Sequence, residues 1–287
     1  MSRFDTVSFL SDYGLDDEFV GVVKSVIRSI APHVAVVDVT HGIPPHDVRA
    51  GSLTLARSVQ YLCPGVVLAV VDPGVGTDRR AIAVEVGGGQ SYLVGPDNGI
   101  LAAAVAMCEG ATRAVSLTEP RYQLPAPGST FDGRDVFAPA AAHLCNGVDL
   151  LELGDEVDPA TLRPGIMPVS RHDDEGLVAE VLWVDRFGNA QLNVDPLDID
   201  GWGDRVHMRV RGSVRIARRV GSYAEIGTGE LGLVVDSYGL LSIATDRQSA
   251  AELLAIDAGD EVVLTEPSAG NEAGPSVPVD LQKGNPS

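Results

Sequence analysis

The stretch VAVVDVTHGIPPHDVRAGSLTLARSVQYLCPGVVLAVVD, residues 34–72, decides the fold class. It begins and ends with short runs rich in β-branched residues, VAVVDV and VVLAVVD, which are typical of buried strands. Between them, Val48 to Tyr61 carries apolar residues at spacings of three and four, the pattern of a helix that packs on a sheet. Strands and helices in alternation predict an α/β domain.

The same alternation extends outward over roughly the first 165 residues. DTVSFL and AIAVEV are two further predicted strands, and Phe19 to Ile30 is a second predicted helix. We therefore predict that residues 1–168 form an α/β catalytic domain with a largely parallel sheet.

The rhythm changes after residue 168, where short strand-like runs are separated by Gly, Asp and Ser. These runs are VAEVLWV, VHMRV, SVRIA, LGLVV, LLSIA and EVVLT. They predict a smaller all-β, barrel-like domain over residues 169–267. Residues 268–287 are rich in Gly, Pro, Ser and Asn, so we expect a flexible tail.

Composition narrows the classes of partner. The formal net charge is −19, which disfavours nucleic acid and anionic membranes as partners and suits a cationic small ligand. We expect a cytoplasmic protein, because no run approaches the roughly 20 apolar residues of a membrane span and no secretory signal is recognisable. Cys63, Cys108 and Cys145 are too widely spaced to suggest a disulfide framework or a zinc site.

An acidic cluster, SDYGLDDEF, follows the first predicted strand. Open α/β sheets bind ligands beyond the carboxyl ends of their strands. A carboxylate such as Asp12 can accept two hydrogen bonds from a ribose diol or face a cation. For Asp16 and Asp17 the alternative is that they cap the following helix.

Two further groups of candidate residues stand out, one after a predicted strand and one before a predicted helix. In VVDPGVGTDRR a Pro-Gly-x-Gly turn brings Arg79 back towards Asp72, so the pair either orients a water molecule or is a structural ion pair. In GSTFDGRDVF, Asp132 and Arg134 stand at a helix entry, where Asp is also common as a mere cap.

In the second domain, VDRFGN places three candidates in and after a turn. Phe187 could stack on a base and Asn189 could bind its edge, while Asp185 is the acidic residue of the same turn; the alternative is a plain β-turn. His41 and His46 lack HExxH-type spacing and no DxDxDG pattern occurs, so we expect no metal and no other cofactor.

Seven blocks in order resemble the SAM hydroxide adenosyltransferases, the SAM hydrolase family related to fluorinase and chlorinase. They are FLSDYGLDDEFVG, VVDVTHGIPPHDV, VVDPGVGTDRR, GPDNGIL, TFDGRDVFAPAAAHL, VDRFGN and DSYGLLSIA. The resemblance covers roughly residues 4–265. It implies that the chain hydrolyses S-adenosyl-L-methionine (SAM) to adenosine and L-methionine, and that it forms a homotrimer with SAM between the N-terminal domain of one subunit and the barrel of the next.

The resemblance also implies roles for residues. Asp72, Arg79 and Asp132 would be catalytic, and Asp12 would bind the ribose hydroxyls. Phe187 and Asn189 would hold adenine, and Asp17, Asp185 and Ser237 would hold the methionine part. The other substrate-binding candidates are Phe19, Phe131 and Tyr238.

This sequence departs from the family pattern at Asp132, where TFHGRD is expected in place of TFDGRD. The halogenases carry an aromatic residue at the position of Asp72, so the hydrolase branch is favoured over the halogenase branch. A third reading is a non-catalytic SAM or adenosine-binding protein, which Asp132 would fit if it marked a lost catalytic apparatus.

Overall fold

The computed structural model describes residues 3–267, and the chain divides between Met167 and Pro168 into two compact units. The expected tail, residues 268–287, lies outside the described residues. Within residues 3–267, none of the helices combines the length and the apolar composition that crossing a bilayer requires.

The first unit is an α/β domain, as the sequence predicts. Its strands are β1 Thr6–Ser11, β2 Ala35–Thr40, β3 Val66–Val70, β4 Ala81–Val86, β5 Ser91–Pro96, β6 Ala111–Ser116 and β7 Asp155–Val157. Its helices are α1 Phe19–Ile30, α2 Val48–Val59, α3 Ala102–Met107 and α4 Ala138–Cys145. The predicted helix from Val48 to Tyr61 thus ends two residues early, at Val59.

The sheet of the first unit is mostly parallel, in the order β2-β1-β3-β5-β4-β6-β7. Strands β2, β1, β3 and β5 are parallel neighbours, whereas β4 is antiparallel to both β5 and β6. Because β1 and β3 are parallel and Ser11 pairs with Val70, the residues that follow these two strands emerge at the same edge of the sheet.

Both faces of this sheet are covered. Every residue of β3 is buried; Leu68 packs in a cluster with residues of α1 and α4, and Ala69 in a cluster with residues of α2 and α3. Successive side chains of a strand point to opposite faces, so a strand buried on both faces reads as a continuous apolar run. This is why VVLAV, without polar alternation, is a central strand.

The second unit is a closed β-barrel with one added strand. Its strands are β8 Arg171–Asp173, β9 Gly176–Val184, β10 Ala190–Leu192, β11 Arg205–Val210, β12 Ser213–Val220, β13 Leu231–Val235, β14 Leu241–Thr245 and β15 Glu261–Thr265, and its helix is α5 Ala250–Leu254. Seven strands close a ring in the order β10-β14-β13-β12-β11-β15-β9, and β8 extends from β9. The barrel-like prediction is confirmed, although β12 and β13 pair in parallel.

Candidate active site

A cavity of about 240 Å³ lies at the sheet edge where β1 and β3 end. Asp12 directly follows β1, and Asp72 comes two residues after the end of β3. Residues from four chain segments line the cavity, among them Asp12, Tyr13, Phe19, His46, Asp72, Phe131 and Asp132. The strand ends therefore bring acidic residues from distant parts of the first unit into one pocket.

Asp72, Arg79 and Asp132 form one hydrogen-bonded cluster. Arg79 Nε donates to both carboxylate oxygens of Asp72 at 2.9 and 3.0 Å, and Arg79 Nη2 donates to Asp72 Oδ2 and to Asp132 Oδ2. The three side chains are only 7%, 11% and 17% exposed for Asp72, Arg79 and Asp132. Burial favours loss of charge on Arg79, but the hydrogen bonds to the two carboxylates outweigh it and raise the pKa of the guanidinium.

The turn after Asp72 explains how Arg79 returns to it. The Val75 amide donates to the carbonyl of Asp72 at 3.2 Å. Gly76 has φ +77°, and a Cβ there would come within 2.9 Å of the Ser129 carbonyl oxygen, so glycine is required at this position. The expected pairing of Asp72 with Arg79 across a tight turn is present.

Asp132 is not a helix cap in this structure. It precedes a π-helical turn, Gly133–Phe137, but its side chain makes no capping hydrogen bond and instead accepts from Arg79. The Arg79 guanidinium also lies 5.3 Å from the centroid of the Phe137 ring. Arg134 pairs with its neighbour Asp135, Nε to Oδ1 at 2.6 Å, and does not join the cluster.

Asp12 also lines the cavity and is held by a backbone hydrogen bond. Its Oδ2 accepts a hydrogen bond from the His46 backbone amide at 2.9 Å. Together Asp12, Asp72 and Asp132 place three carboxylates around the cavity, and the cluster contains one guanidinium. The excess of negative charge suits a cationic ligand and opposes binding of an anion.

Phe19 and Phe131 form an apolar wall of the cavity, with ring centroids 5.1 Å apart. Asp17 is exposed in the bend before α1 and is not among the residues that line the cavity of the first unit. The capping alternative for Asp16 and Asp17 is not observed, since Glu18 is the residue at the N-cap and makes no side-chain cap.

Tyr13 is a cavity residue that the sequence analysis missed. It lies between Asp12 and Gly14, and burial, followed by the charges of Asp12, Asp72 and Asp132, raises the pKa of its hydroxyl. The signal that could have found it is its position directly after Asp12 at a strand end. Asn98, in the GPDNGIL block, does not line the cavity; it is a turn residue whose Nδ2 donates to the Val71 carbonyl at 2.8 Å.

In the second unit, Asp185 closes the turn that carries Phe187 and Asn189. Its Oδ1 accepts from the amides of Phe187 and Asn189 at 2.8 and 2.9 Å, and its Oδ2 accepts from Asn189 Nδ2 at 2.8 Å. Phe187 is 79% exposed at the tip of the turn. A side chain that holds a turn in this way is the ordinary use of Asp in loops.

The segment Asp236 to Leu240 repeats this turn. Asp236 Oδ1 accepts from the Tyr238 and Leu240 amides at 2.8 and 3.2 Å, which matches the pattern at Asp185, and Ser237 is exposed beside it. Tyr238 and Trp183 are in edge contact, with ring centroids 6.4 Å apart. The predicted residues of the second unit thus lie on two turns of one design, Asp-x-aromatic-Gly.

Known proteins resemble this chain over nearly its whole length. The model of the SAM hydroxide adenosyltransferase N-terminal domain matches residues 7–154, and that of the C-terminal domain matches residues 179–263. The (R)-S-adenosyl-L-methionine hydrolase of Salinispora tropica is 43% identical over 263 residues, which covers 90% of this chain and 97% of that protein.

A more distant relative and a solved structure also match the chain over about nine tenths of its length. A fluorinase of Nocardia brasiliensis is 26% identical over 292 residues, covering 91% of this chain and 96% of that protein. The crystal structure of an uncharacterized conserved protein from Thermotoga maritima is 34% identical, with a TM-score of 0.83 and coverage of 90% of this chain and 99% of that one.

Proposed function

The chain belongs to the SAM hydroxide adenosyltransferase family, and from this premise we propose that it is an enzyme that hydrolyses SAM. Water attacks C5′ of the ribose, and the products are adenosine and L-methionine. The observation that supports this most strongly is the buried cluster of Asp72, Arg79 and Asp132 beside a cavity rich in carboxylates.

The chemistry follows from the sulfonium of SAM. As the C5′–O bond forms, the C5′–S bond breaks and its electron pair returns to sulfur, so the leaving group is neutral methionine and needs no acid. The water loses a proton, and of the three carboxylates at the cavity we assign Asp72 and Asp132, the two bound to Arg79, as its acceptors. Positioning of the water by Asp72 and Arg79, whose side chains are themselves largely buried, lowers the barrier.

Negative charge around the sulfonium improves binding of SAM. It does not by itself accelerate the reaction, because the positive charge on sulfur disperses in the transition state. The acceleration is therefore assigned to the oriented water, and the affinity to the carboxylates.

Substrate contacts are proposed for residues of both units. Asp12 binds the ribose hydroxyls, while Phe19 and Phe131 line the first unit's apolar wall. The other proposed contacts are Phe187 and Asn189 with adenine, Asp17, Asp185 and Ser237 with the methionine part, and Tyr238 beside them.

The relatives' name specifies the (R) configuration of SAM. We therefore propose the (R) epimer at sulfur as the preferred substrate. We also propose a cytoplasmic homotrimer that needs no cofactor, with each SAM held between the N-terminal unit of one subunit and the barrel of the next.

A SAM-dependent halogenase is the alternative reaction, since fluorinases are among the more distant relatives. The three carboxylates at the cavity disfavour it, because a halide would have to approach like charge. A non-catalytic SAM or adenosine binder is the second alternative.

The test is to incubate the protein with each SAM epimer, with and without chloride, and to follow nucleosides and methionine by chromatography. We expect equal amounts of adenosine and methionine, faster from the (R) epimer and independent of chloride. A chlorinated nucleoside would establish the halogenase, and binding without any product would establish the binder.

A further inference from the structure

Tyr13 is fixed within the cavity by its ring. The ring centroids of Phe19 and Phe131 each lie 5.7 Å from that of Tyr13, and the centroid of Phe9 lies at 6.3 Å. Edge and tilted contacts of this kind are favourable and directional. The position of the phenol oxygen is therefore set by packing, with little freedom left to the ring.

The phenol oxygen lies over the backbone of Gly133. A Cβ at Gly133 would overlap the Tyr13 hydroxyl, so the observed position of the hydroxyl requires glycine at residue 133. The next residue back is Asp132, whose carboxylate is hydrogen-bonded to Arg79. Tyr13 thus places a hydroxyl beside the catalytic cluster.

The hydroxyl remains protonated and available as a donor. Burial first, and then the charges of Asp12, Asp72 and Asp132, raise the pKa of Tyr13, so the neutral phenol persists at physiological pH. Within residues 3–267 its oxygen takes part in none of the hydrogen bonds.

The cavity is rich in acceptors and poor in fixed donors. Asp12, Asp72 and Asp132 accept only, and Arg79 directs its Nε and Nη2 to Asp72 and Asp132. The other uncommitted side-chain donors of the lining belong to exposed residues, Thr130 and His46. Tyr13 is the neutral donor that packing holds in place.

We propose that Tyr13 is a further catalytic residue, whose hydroxyl donates a hydrogen bond to the water that attacks C5′. This inference rests on the proposed hydrolysis. A tetrahedral water has two protons and two lone pairs. Asp72 and Asp132 accept from the protons, Tyr13 donates to one lone pair, and the other lone pair forms the C5′–O bond while the C5′–S pair leaves with sulfur and one water proton passes to a carboxylate.

The test is Tyr13→Phe, which keeps the ring contacts and removes the hydroxyl. We expect kcat to fall about tenfold or more, with KM and adenosine affinity within about twofold of the parent, because the hydrogen bond acts on the water. The matched control is Tyr61→Phe, the same change at a residue that is 69% exposed, and it should leave kcat unchanged.

The outcomes separate this inference from the function on which it rests. An active parent with an unchanged kcat in Tyr13→Phe would overturn the role of Tyr13 alone. A loss of adenosine affinity at unchanged kcat would overturn it too, since the hydroxyl would then bind the nucleoside. A folded parent that yields no adenosine overturns the proposed function and the role of Tyr13 together.

Discussion

At the scale of single residues, the proposed hydrolysis assigns its chemistry to two carboxylates that share one guanidinium, those of Asp72 and Asp132. Both carboxylate oxygens of Asp72 accept hydrogen bonds from Arg79, whereas Asp132 accepts from Arg79 through one oxygen. Removing either aspartate leaves the other pair in place. The two are therefore expected to differ in importance, with Asp72 and Arg79 as the central pair.

We predict that Asp72→Ala lowers kcat by about 100-fold or more, and that Asp132→Ala lowers it less, because loss of a positioned proton acceptor costs about 10²–10⁴-fold. Asp78→Ala, at an exposed carboxylate of the same turn, is the control and should be as active as the parent. Steady-state kinetics with SAM gives the comparison. Equal losses in the two cavity variants would contradict the ranking.

We predict that Asp132→His preserves or raises activity near neutral pH. A neutral imidazole can donate, which an ionised carboxylate cannot, and it restores the trio that the resemblance leads us to expect. The measurement is kcat for parent and variant at neutral pH. An inactive but folded Asp132→His beside an active parent would mean that Asp132 has a role of its own.

For Asp12 we predict that alanine weakens SAM and adenosine binding alike, because both contain the ribose diol. Loss of hydrogen bonds to a charged group costs roughly 1.5–3 kcal/mol. Calorimetry with adenosine tests this, with Asp16→Ala as the control, since Asp16 is a neighbouring exposed acid that does not line the cavity. Unchanged adenosine affinity in Asp12→Ala would remove Asp12 from the site.

The sequence predicted the positions of some cavity residues better than those of others. The Asp72 and Arg79 pair follows from a short spacing across a glycine turn, so it was predictable. Asp132 lies 53 residues from Arg79, and its contact depends on a π-helical turn that no periodicity indicates. Tyr13 was missed because an aromatic residue after a strand usually packs in the core.

At the scale of secondary structure, sequence periodicity predicted the bounds of helices and strands better than it predicted which strands pair and in which direction. Helix α1 has the predicted bounds Phe19–Ile30, and strand β4 has the predicted bounds Ala81–Val86. The antiparallel direction of β4 and the parallel pairing of β12 with β13 depend on long-range contacts, which the local pattern does not encode.

The β4 and β6 pair contains an acid-sensitive ion pair. Arg113 Nη2 donates to Glu85 Oε2 at 2.6 Å, and this hydrogen bond, more than any other contact, lowers the pKa of Glu85 from 4.5 to about 2. A lowered pKa in the folded state stabilises the fold above pH 4.5, and that stabilisation is lost as the pH falls towards about 2.

We predict that Glu85→Gln is less stable than the parent at neutral pH by about 1–2 kcal/mol, less than the pKa shift alone would give because solvent screens the partly exposed Arg113, and that the difference shrinks as the pH falls from 4.5 towards 2. Denaturant unfolding at several pH values measures it. Glu156→Gln, at an exposed position of β7, should behave as the parent does. A difference that is constant with pH would rule out the ion pair as its source.

At the scale of the whole molecule, the predicted substrate contacts are divided between two units. Asp12, Asp72 and Asp132 belong to the first, whereas Phe187 and Asn189 belong to the second. The fold class of each unit was readable from strand and helix periodicity. The assignment of residues from both units to one substrate came from the resemblance, because spacing does not relate separate domains.

We predict a homotrimer that is required for full activity, since the proposed site takes residues from two subunits. Sedimentation should report three chains, and specific activity should fall on dilution below the concentration at which the trimer dissociates. A monomer with full activity would contradict shared sites.

The central claim is that water supplies the atom that replaces sulfur at C5′. Reaction with SAM in water enriched in oxygen-18, followed by mass spectrometry of the products, tests this directly. We predict one labelled oxygen in adenosine, at the 5′ position, and none in methionine. Adenosine without the label, or a nucleoside that carries chlorine at C5′, would contradict hydrolysis by attack of water at that carbon.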